Sequence, residues 1–127
     1  MPRPPKGPTA RQQLGARGEA LAAAALERAG YRILLPTGFR TKSGQMDLLA
    51  EEGGDLVFVE VKTRRSTTFG IPAEAITAAK QRHLITAALE YLAAQGQMDR
   101  SWRIDVVAIL LTNVGPHIEI IRHAVSG

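Results

Sequence analysis

With 127 residues, the chain has the length of one domain and can bury about two-thirds of its unfolded surface without staples. It contains no cysteine, which excludes disulfides and thiolate-built zinc sites. Any metal must then be a hard ion on oxygen ligands or one held by His83, His117 or His123. Sixteen basic and twelve acidic residues give a net charge of +4. Arg3, Lys6, Arg11 and Arg17 precede the first acid and account for all of it, so the body is neutral and charge alone argues little for a nucleic-acid partner.

The opening MPRPPKGPT is proline-rich, with almost nothing to bury, and predicts a disordered basic arm over 1–9 ahead of a single domain over 10–127. RQQLGARGEALAAAALERAGY predicts a helix over residues 10 to 28, with Gly30 as its stop. YRILLP predicts a short strand ended by Pro36, followed by the loop TGFRTKSG. QMDLLAEE reads as a second strand, Gly53-Gly54 as a turn and DLVFVEVKTR as a third strand. After the loop STTFGIP, a second helix starts near Pro72 and runs through AAKQRHLITAALEYLAA, with apolar residues at helical spacing. WRIDVVAILLT and HIEIIRHA complete the set as strands. The order α-β-β-β-α-β-β predicts a mixed α/β sheet flanked by helices. The apolar runs ALAAAAL and VVAILL are too short to span a bilayer. The basic N-terminus leads into polar RQQ rather than a signal-peptide apolar core, so no membrane partner and a cytoplasmic location are expected.

LVFVEVKTRR, residues 56–65, carries an unusual strand face. Side chains alternate, so Leu56, Phe58, Glu60 and Lys62 share one side: apolar at one end, ionic at the other. A two-residue turn at Gly53-Gly54 pairs residue 52 with 55. Counting back, it sets Asp47 opposite Glu60 and Gln45 opposite Lys62. Opposed residues have Cβ atoms about 4.5–5.5 Å apart, and two carboxylates at that range repel by roughly 3 kcal/mol at an effective dielectric of about 20. A protonated acid, the Lys62 amine or a bound cation could compensate. A divalent ion fits best: Mg2+ takes oxygen ligands, commonly one or two carboxylates plus waters. It also activates water and polarises phosphoryl oxygens, with Lys62 beside it to stabilise the charge that develops. The spacing alone leaves a solvated pair of strand charges equally open.

GQMDLL with FVEVKTR resembles the PD-(D/E)xK nuclease pattern. GARGEALA, GYRIL, GQMDLLA, LVFVEVKTR, FGIPAEAIT, AAKQRHL and WRIDVVAI, in that order, closely resemble the YraN family, bacterial proteins related by fold to archaeal Holliday-junction resolvases and expected to be endonucleases. The resemblance implies a restriction-endonuclease-like core and Mg2+- or Mn2+-dependent hydrolysis of DNA, branched or damaged DNA included. It makes Asp47 and Glu60 metal-binding acids, Lys62 the catalytic lysine and Glu19 a helix acid facing the site. Gln45 stands where the family has Glu, and Met46 where the superfamily pattern has Pro. Gln45 therefore supports the site as an acceptor without adding charge. A homodimer is expected by analogy with resolvases.

Arg40, Lys42, Arg64, Arg65 and Lys80 are candidate phosphate contacts, with solvated surface charge as the alternative. Glu19 could equally be a solvated helix acid. Asp105, inside a strand, needs a partner, and a structural ion pair with Arg103 is favoured over a metal ligand. The three histidines have no ligand spacing, and the few aromatics around Trp102 offer no stacking platform. Two other function classes remain from the sequence: a nucleic-acid-binding module with an impaired site, and a structural or adaptor domain.

Overall fold

The computed structural model describes residues 7–65 and 76–125. Most of the expected arm, the loop STTFGIP and the expected start of the second helix at 72–75 lie outside the described residues. Among those described, no helix is long and apolar enough to cross a membrane.

Helix α1 (Ala10–Arg28) spans the residues its sequence predicts. Thr9 accepts from the Gln12 N–H at 3.1 Å, and the Gln12 side chain accepts from the Thr9 N–H at 2.9 Å. This capping box satisfies two donors that a helix start otherwise leaves unpaired. Gly18, Ala22 and Leu26, four apart, form the buried stripe. Helix α2 (Ala78–Ala94) starts behind Thr77, whose hydroxyl accepts from the Lys80 N–H at 3.1 Å.

The strands are β1 (Arg32–Leu35), β2 (Phe39–Thr41), β3 (Gly44–Met46), β4 (Leu48–Glu52), β5 (Asp55–Arg64), β6 (Trp102–Thr112) and β7 (Gly115–Val125). The main sheet has the order β1-β4-β5-β6-β7. β5 and β6 run parallel and the other neighbours antiparallel. The fold class is therefore the one expected, a mixed α/β sheet with a helix on each side. Alternation along β4 and β5 divides the core. Leu48, Ala50, Val57 and Val59 pack with Ala22 and Leu26 of α1. Leu49, Leu56 and Phe58 pack with Leu84, Ala88 and Leu92 of α2. Each sheet face is thus closed by one helix, and burying these side chains supplies the main driving force.

Two expectations are corrected. The stretch 37–44 is not a plain loop, and 45–51 is not one strand. The backbone bends at Asp47, and β3 leaves the main sheet to pair with β2 in a separate hairpin. Gln45 consequently faces Arg40 across that hairpin rather than Lys62. Gly38 has φ +70°, and a Cβ there would lie 1.8 Å from the Met46 carbonyl oxygen. Only glycine lets the chain pass this close to the bend. The hairpin is also tied to α2: Ser43 donates its N–H and hydroxyl to Glu90 at 3.1 and 3.0 Å, and Phe39 lies 4.4 Å from Tyr91 between ring centroids.

Candidate active site

The β4–β5 ladder holds the predicted register, with Glu52 opposite Asp55 and Leu48 opposite Val59. It stops one pair short of Asp47 and Glu60, because Asp47 is the bend. Its carboxylate turns to β5 instead and accepts the Val61 backbone N–H on Oδ2 at 2.8 Å. Asp47 is thereby fixed at the end of the sheet, beside Glu60 on the continuing strand.

Glu60 is 5% exposed. Its Oε1 lies 3.6 Å from Lys62 Nζ and 3.5 Å from Lys80 Nζ. Its Oε2 is buried and has no hydrogen-bond partner. Leaving such an acceptor unsatisfied is costly, and a carboxylate in this position calls for a further positive or donating group. Burial, reinforced by the Asp47 charge, raises the Glu60 pKa; Lys80 and Lys62 offset part of that rise. Burial also raises the Asp47 pKa, against the Val61 N–H and the two lysines.

A cavity of about 280 Å³ opens at this end of the sheet, lined by Arg11, Gly15, Glu19, Asp47, Lys62 and Thr63 among others. Glu19 enters it from α1, and its pKa is raised by partial burial and then by the Asp47 charge. Gly18 positions it: a Cβ there would fall 1.9 Å from Thr63 Oγ1 and 3.0 Å from Thr63 Cβ. The helix can approach β5 this closely only with glycine in the contact. Arg11 is a cavity residue that motif reading counts only as charge. The signal was present, since Arg11, Gly15 and Glu19 recur every four residues along one helix face.

The structure thus brings Asp47, Glu60, Lys62, Lys80 and Glu19 to one end of the molecule. Arg64 and Arg65 extend from the same end of β5 and are exposed. Gln45, Arg40 and Lys42 belong elsewhere. Gln45 accepts from the Arg40 guanidinium at 3.2 Å, and Arg40 and Lys42 line a second cavity of about 560 Å³ with Phe39, Glu90 and Tyr91.

The donors fit a hard divalent ion. Asp47 and Glu60 supply two carboxylates, the charge of the first acting on the second, and one buried oxygen lacks a partner. Among the described residues no group of three His, Cys, Asp or Glu side chains is arranged around a common ion position.

On the α1 side of the sheet, level with Val59 on the neighbouring strand, the buried charges are structural. Asp105, fully buried, accepts from Arg103 Nε at 3.0 Å, the Tyr31 hydroxyl at 2.7 Å and the His123 N–H at 3.0 Å. Arg103 also pairs with Glu52 and with Asp55. The predicted Asp105–Arg103 ion pair is present, and Asp105 is too fully engaged to serve as a metal ligand.

Fold and site define a mixed α/β protein with an acid–acid–lysine cluster at one sheet end. The model of the uncharacterised protein family UPF0102 matches residues 18–109, a span that includes Glu19, Asp47, Glu60, Lys62 and Lys80, and the chain belongs to that family. This bears out the family resemblance read from the motifs. A UPF0102 protein of Geobacter sulfurreducens is 49% identical over 112 residues, 87% of each chain. One of Rhodococcus jostii is 47% identical over 112 residues, covering 87% of this chain and 94% of its own. One of Symbiobacterium thermophilum is 49% identical over 98 residues, 77% and 82% of the two chains. Among solved structures, Archaeoglobus fulgidus Hjc, a Holliday junction resolvase, aligns with 85% of this chain and 71% of its own, at 19% identity and a TM-score of 0.49.

Proposed function

We propose that this protein is a Mg2+- or Mn2+-dependent endonuclease with a restriction-endonuclease-like core, hydrolysing phosphodiester bonds in DNA, branched or damaged DNA included. The observation that carries the reading is Glu60: a buried carboxylate with one unpartnered oxygen, beside a second carboxylate and two amines, of which Asp47 and Lys62 line an open cavity. An isolated structural acid would be neutralised more simply, by an arginine that fills both oxygens, as Arg103 engages Asp105.

Asp47 and Glu60 would hold the ion, which when bound acidifies a water and polarises the phosphoryl oxygen. Val61 holds Asp47 in position through its N–H, so the carboxylate needs no reorientation. Lys62, part-exposed at the cavity wall, places an ammonium where negative charge develops on the phosphoryl oxygens. Glu19, also in the cavity wall, is placed to orient a water by hydrogen bonding. Arg11, Arg64 and Arg65 supply contacts to flanking phosphates, which set the register of the backbone without reading sequence. The second cavity, with Arg40 and Lys42, provides a further basic surface for the same strand. Residues 1–9 act as a basic arm on a single domain over 10–127. A two-fold dimer working in the cytoplasm would deliver paired cuts.

The test is cleavage of a synthetic four-way junction, a flap, a nicked duplex and an intact duplex with Mg2+ or Mn2+. Wild type is compared with Asp47→Ala and Lys62→Ala. Cutting by wild type that falls at least about a hundredfold in both variants supports the reading, the scale expected for losing a group that stabilises the transition state. If every substrate stays whole, or the variants cut as well as wild type, the reading is wrong. Salt-dependent binding without cutting would point instead to a nucleic-acid-binding module.

A further inference from the structure

Lys80 is in a place that helix energetics disfavour. It is the third residue of α2, where the positive end of the helix dipole repels a cation. The first turn of α2 carries no acid to compensate. The opposing attraction comes from the sheet, as Lys80 Nζ lies 3.5 Å from Glu60 Oε1. Lys62 Nζ reaches the same oxygen at 3.6 Å. Two ammonium groups therefore share one carboxylate oxygen while the other has no partner. Both distances exceed the roughly 2.7–2.9 Å of a tight charged hydrogen bond, so each amine neutralises Glu60 without being locked to it. The Lys80 backbone is fixed by its N–H bond to Thr77, whereas its side chain is 36% exposed.

Charge counting then limits what a loaded site tolerates. Asp47, Glu60 and Glu19 against Lys62, Lys80 and Arg11 sum to zero. A divalent ion on the two carboxylates would bring the cluster to +2, with both amines crowded around a neutralised acid. Outward movement of one amine relieves that excess. Lys62 rises from the interior of a paired strand, with its β6 neighbour Ala108 alongside. Both are part-exposed, at 30% and 36%, but Lys80 stands in the first turn of a helix, off the sheet that carries the two carboxylates.

We propose that Lys80 is a tethered counter-ion: it neutralises Glu60 in the ion-free protein and, when the site is loaded, turns outward to contact a phosphate of the substrate strand. Ion loading and DNA binding are thereby coupled through one side chain. The inference rests on the nuclease reading above and adds a control element to the same site.

Two measurements on the full chain test it, neither using cleavage. The first is the Mn2+ dissociation constant, from free-ion electron paramagnetic resonance, for wild type, Lys80→Met, Lys80→Gln, Lys80→Arg and Arg82→Met. Arg82 is an exposed cation on the same helix and serves as the control. Removing the competing ammonium should tighten Mn2+ by about tenfold in both uncharged Lys80 variants. Lys80→Arg and Arg82→Met should stay within about twofold of wild type. Circular dichroism melts establish that each variant is folded. The second is the salt dependence of binding to a fluorescent duplex in Ca2+ and in EDTA. Wild type should gain about one phosphate contact in Ca2+, a steepening of the log–log slope by roughly 0.9, and Lys80→Met should gain none. Unchanged or weaker Mn2+ binding in folded Lys80→Met and Lys80→Gln overturns the proposal and leaves the nuclease reading standing. So does a Ca2+-dependent steepening that persists in Lys80→Met. Failure of wild type to bind Mn2+ at all overturns both.

Discussion

Val61 donates its backbone N–H to Asp47 Oδ2 at 2.8 Å, joining the end of one strand to the continuing edge of the next through a side chain rather than a ladder bond. The carboxylate does two separable jobs. As an acceptor it closes the sheet end, and as an anion it is the proposed ion ligand. Asp47→Asn keeps an oxygen for Val61 and removes the charge. The expected result is a folded protein within about 1 kcal/mol of wild-type stability, the size of a typical net hydrogen-bond term, that has lost Mn2+ binding and at least about a hundredfold in cleavage. Asp47→Ala should show the same functional loss plus a measurable drop in stability. Urea denaturation alongside cleavage separates the two jobs. An active Asp47→Asn would remove this residue from the proposed ligand set.

The pH dependence of the ion-free protein should carry the mark of the site. Glu60, Asp47 and Glu19 all have pKa values raised by burial, with Asp47 adding its charge against the other two. For such acids the folded state holds protons that the unfolded state releases. Their contribution is therefore greatest at low pH and is lost as pH rises from the ordinary carboxylate range through the raised folded values. Glu51, Glu52, Asp55 and Glu90 shift downward, chiefly through bonds to Arg100, Arg122, Ser101 and Thr41 respectively, and act in the opposite sense. Comparing wild type with Glu60→Gln isolates the site. Glu60→Gln should be more stable than wild type at pH 7, with the difference closing as pH falls to about 4. Mg2+ should stabilise wild type at pH 7 and leave Glu60→Gln unmoved. Urea titrations across that range, with and without Mg2+, give the result. A gap that widens toward low pH would contradict the assignment.

How far the sequence reached can be seen residue by residue. The α1 limits were legible because alanine-rich propensity and Gly30 agree locally, and the Thr9–Gln12 box found in the structure fixes the same start. The β4–β5 register was legible because the Gly53-Gly54 turn and the apolar alternation agree as well. The break at Asp47 was not. QMDLLAEE reads as one strand, and only contacts distant in sequence, Gly38 against Met46 and Ser43 against Glu90, show why 44–46 peels away. Gln45 was misplaced for that reason. Lys80 could be placed on a helix but not against Glu60, since helix-to-sheet docking is set by the two-sided core rather than by any local pattern. The Asp105 pair was legible as a need. Its other partners, Tyr31 and His123, come from the ends of elements remote in sequence.

Gly18 offers a test of how closely the site depends on helix docking. A methyl group at this position would overlap Thr63 Oγ1 at 1.9 Å, forcing either the hydroxyl or α1 to move. Overpacking of this kind costs about 1–3 kcal/mol, against a gain of about 1 kcal/mol in helix propensity. Gly18→Ala should therefore be destabilised, though by less than the steric cost, and cleavage should fall further than stability because the adjacent Glu19 is carried away from Asp47. Combining it with Thr63→Ala removes the nearest clashing atom while leaving Cβ at 3.0 Å. Partial recovery of both stability and cleavage is expected. Non-additivity in the urea double-mutant cycle measures the contact directly; additive effects would show that α1 is not held at this point.

Asp105 provides the counter-test, since it is as buried as any acid in the protein and lies in the structural network rather than at the proposed site. Its oxygens accept from Arg103, Tyr31 and the His123 backbone, the last through a β6–β7 irregularity that places His123 at φ 52°. That backbone conformation is uncommon for a non-glycine residue, and Asp105 accepts its N–H. Asp105→Ala leaves Arg103 paired with Glu52 and Asp55 but removes the acceptor of its Nε, of the Tyr31 hydroxyl and of that N–H, which should cost about 3 kcal/mol. Tyr31→Phe removes one donor and should cost about 1–2 kcal/mol. The Tyr31 phenol itself is pushed up to about 12, first by burial and then by its bond to Asp105, so ultraviolet titration should find it un-ionised well past the ordinary tyrosine range. Both variants, at temperatures where they remain folded, should retain wild-type Mn2+ affinity. Loss of Mn2+ binding by folded Tyr31→Phe would mean that the network is coupled to the proposed site and is more than scaffold.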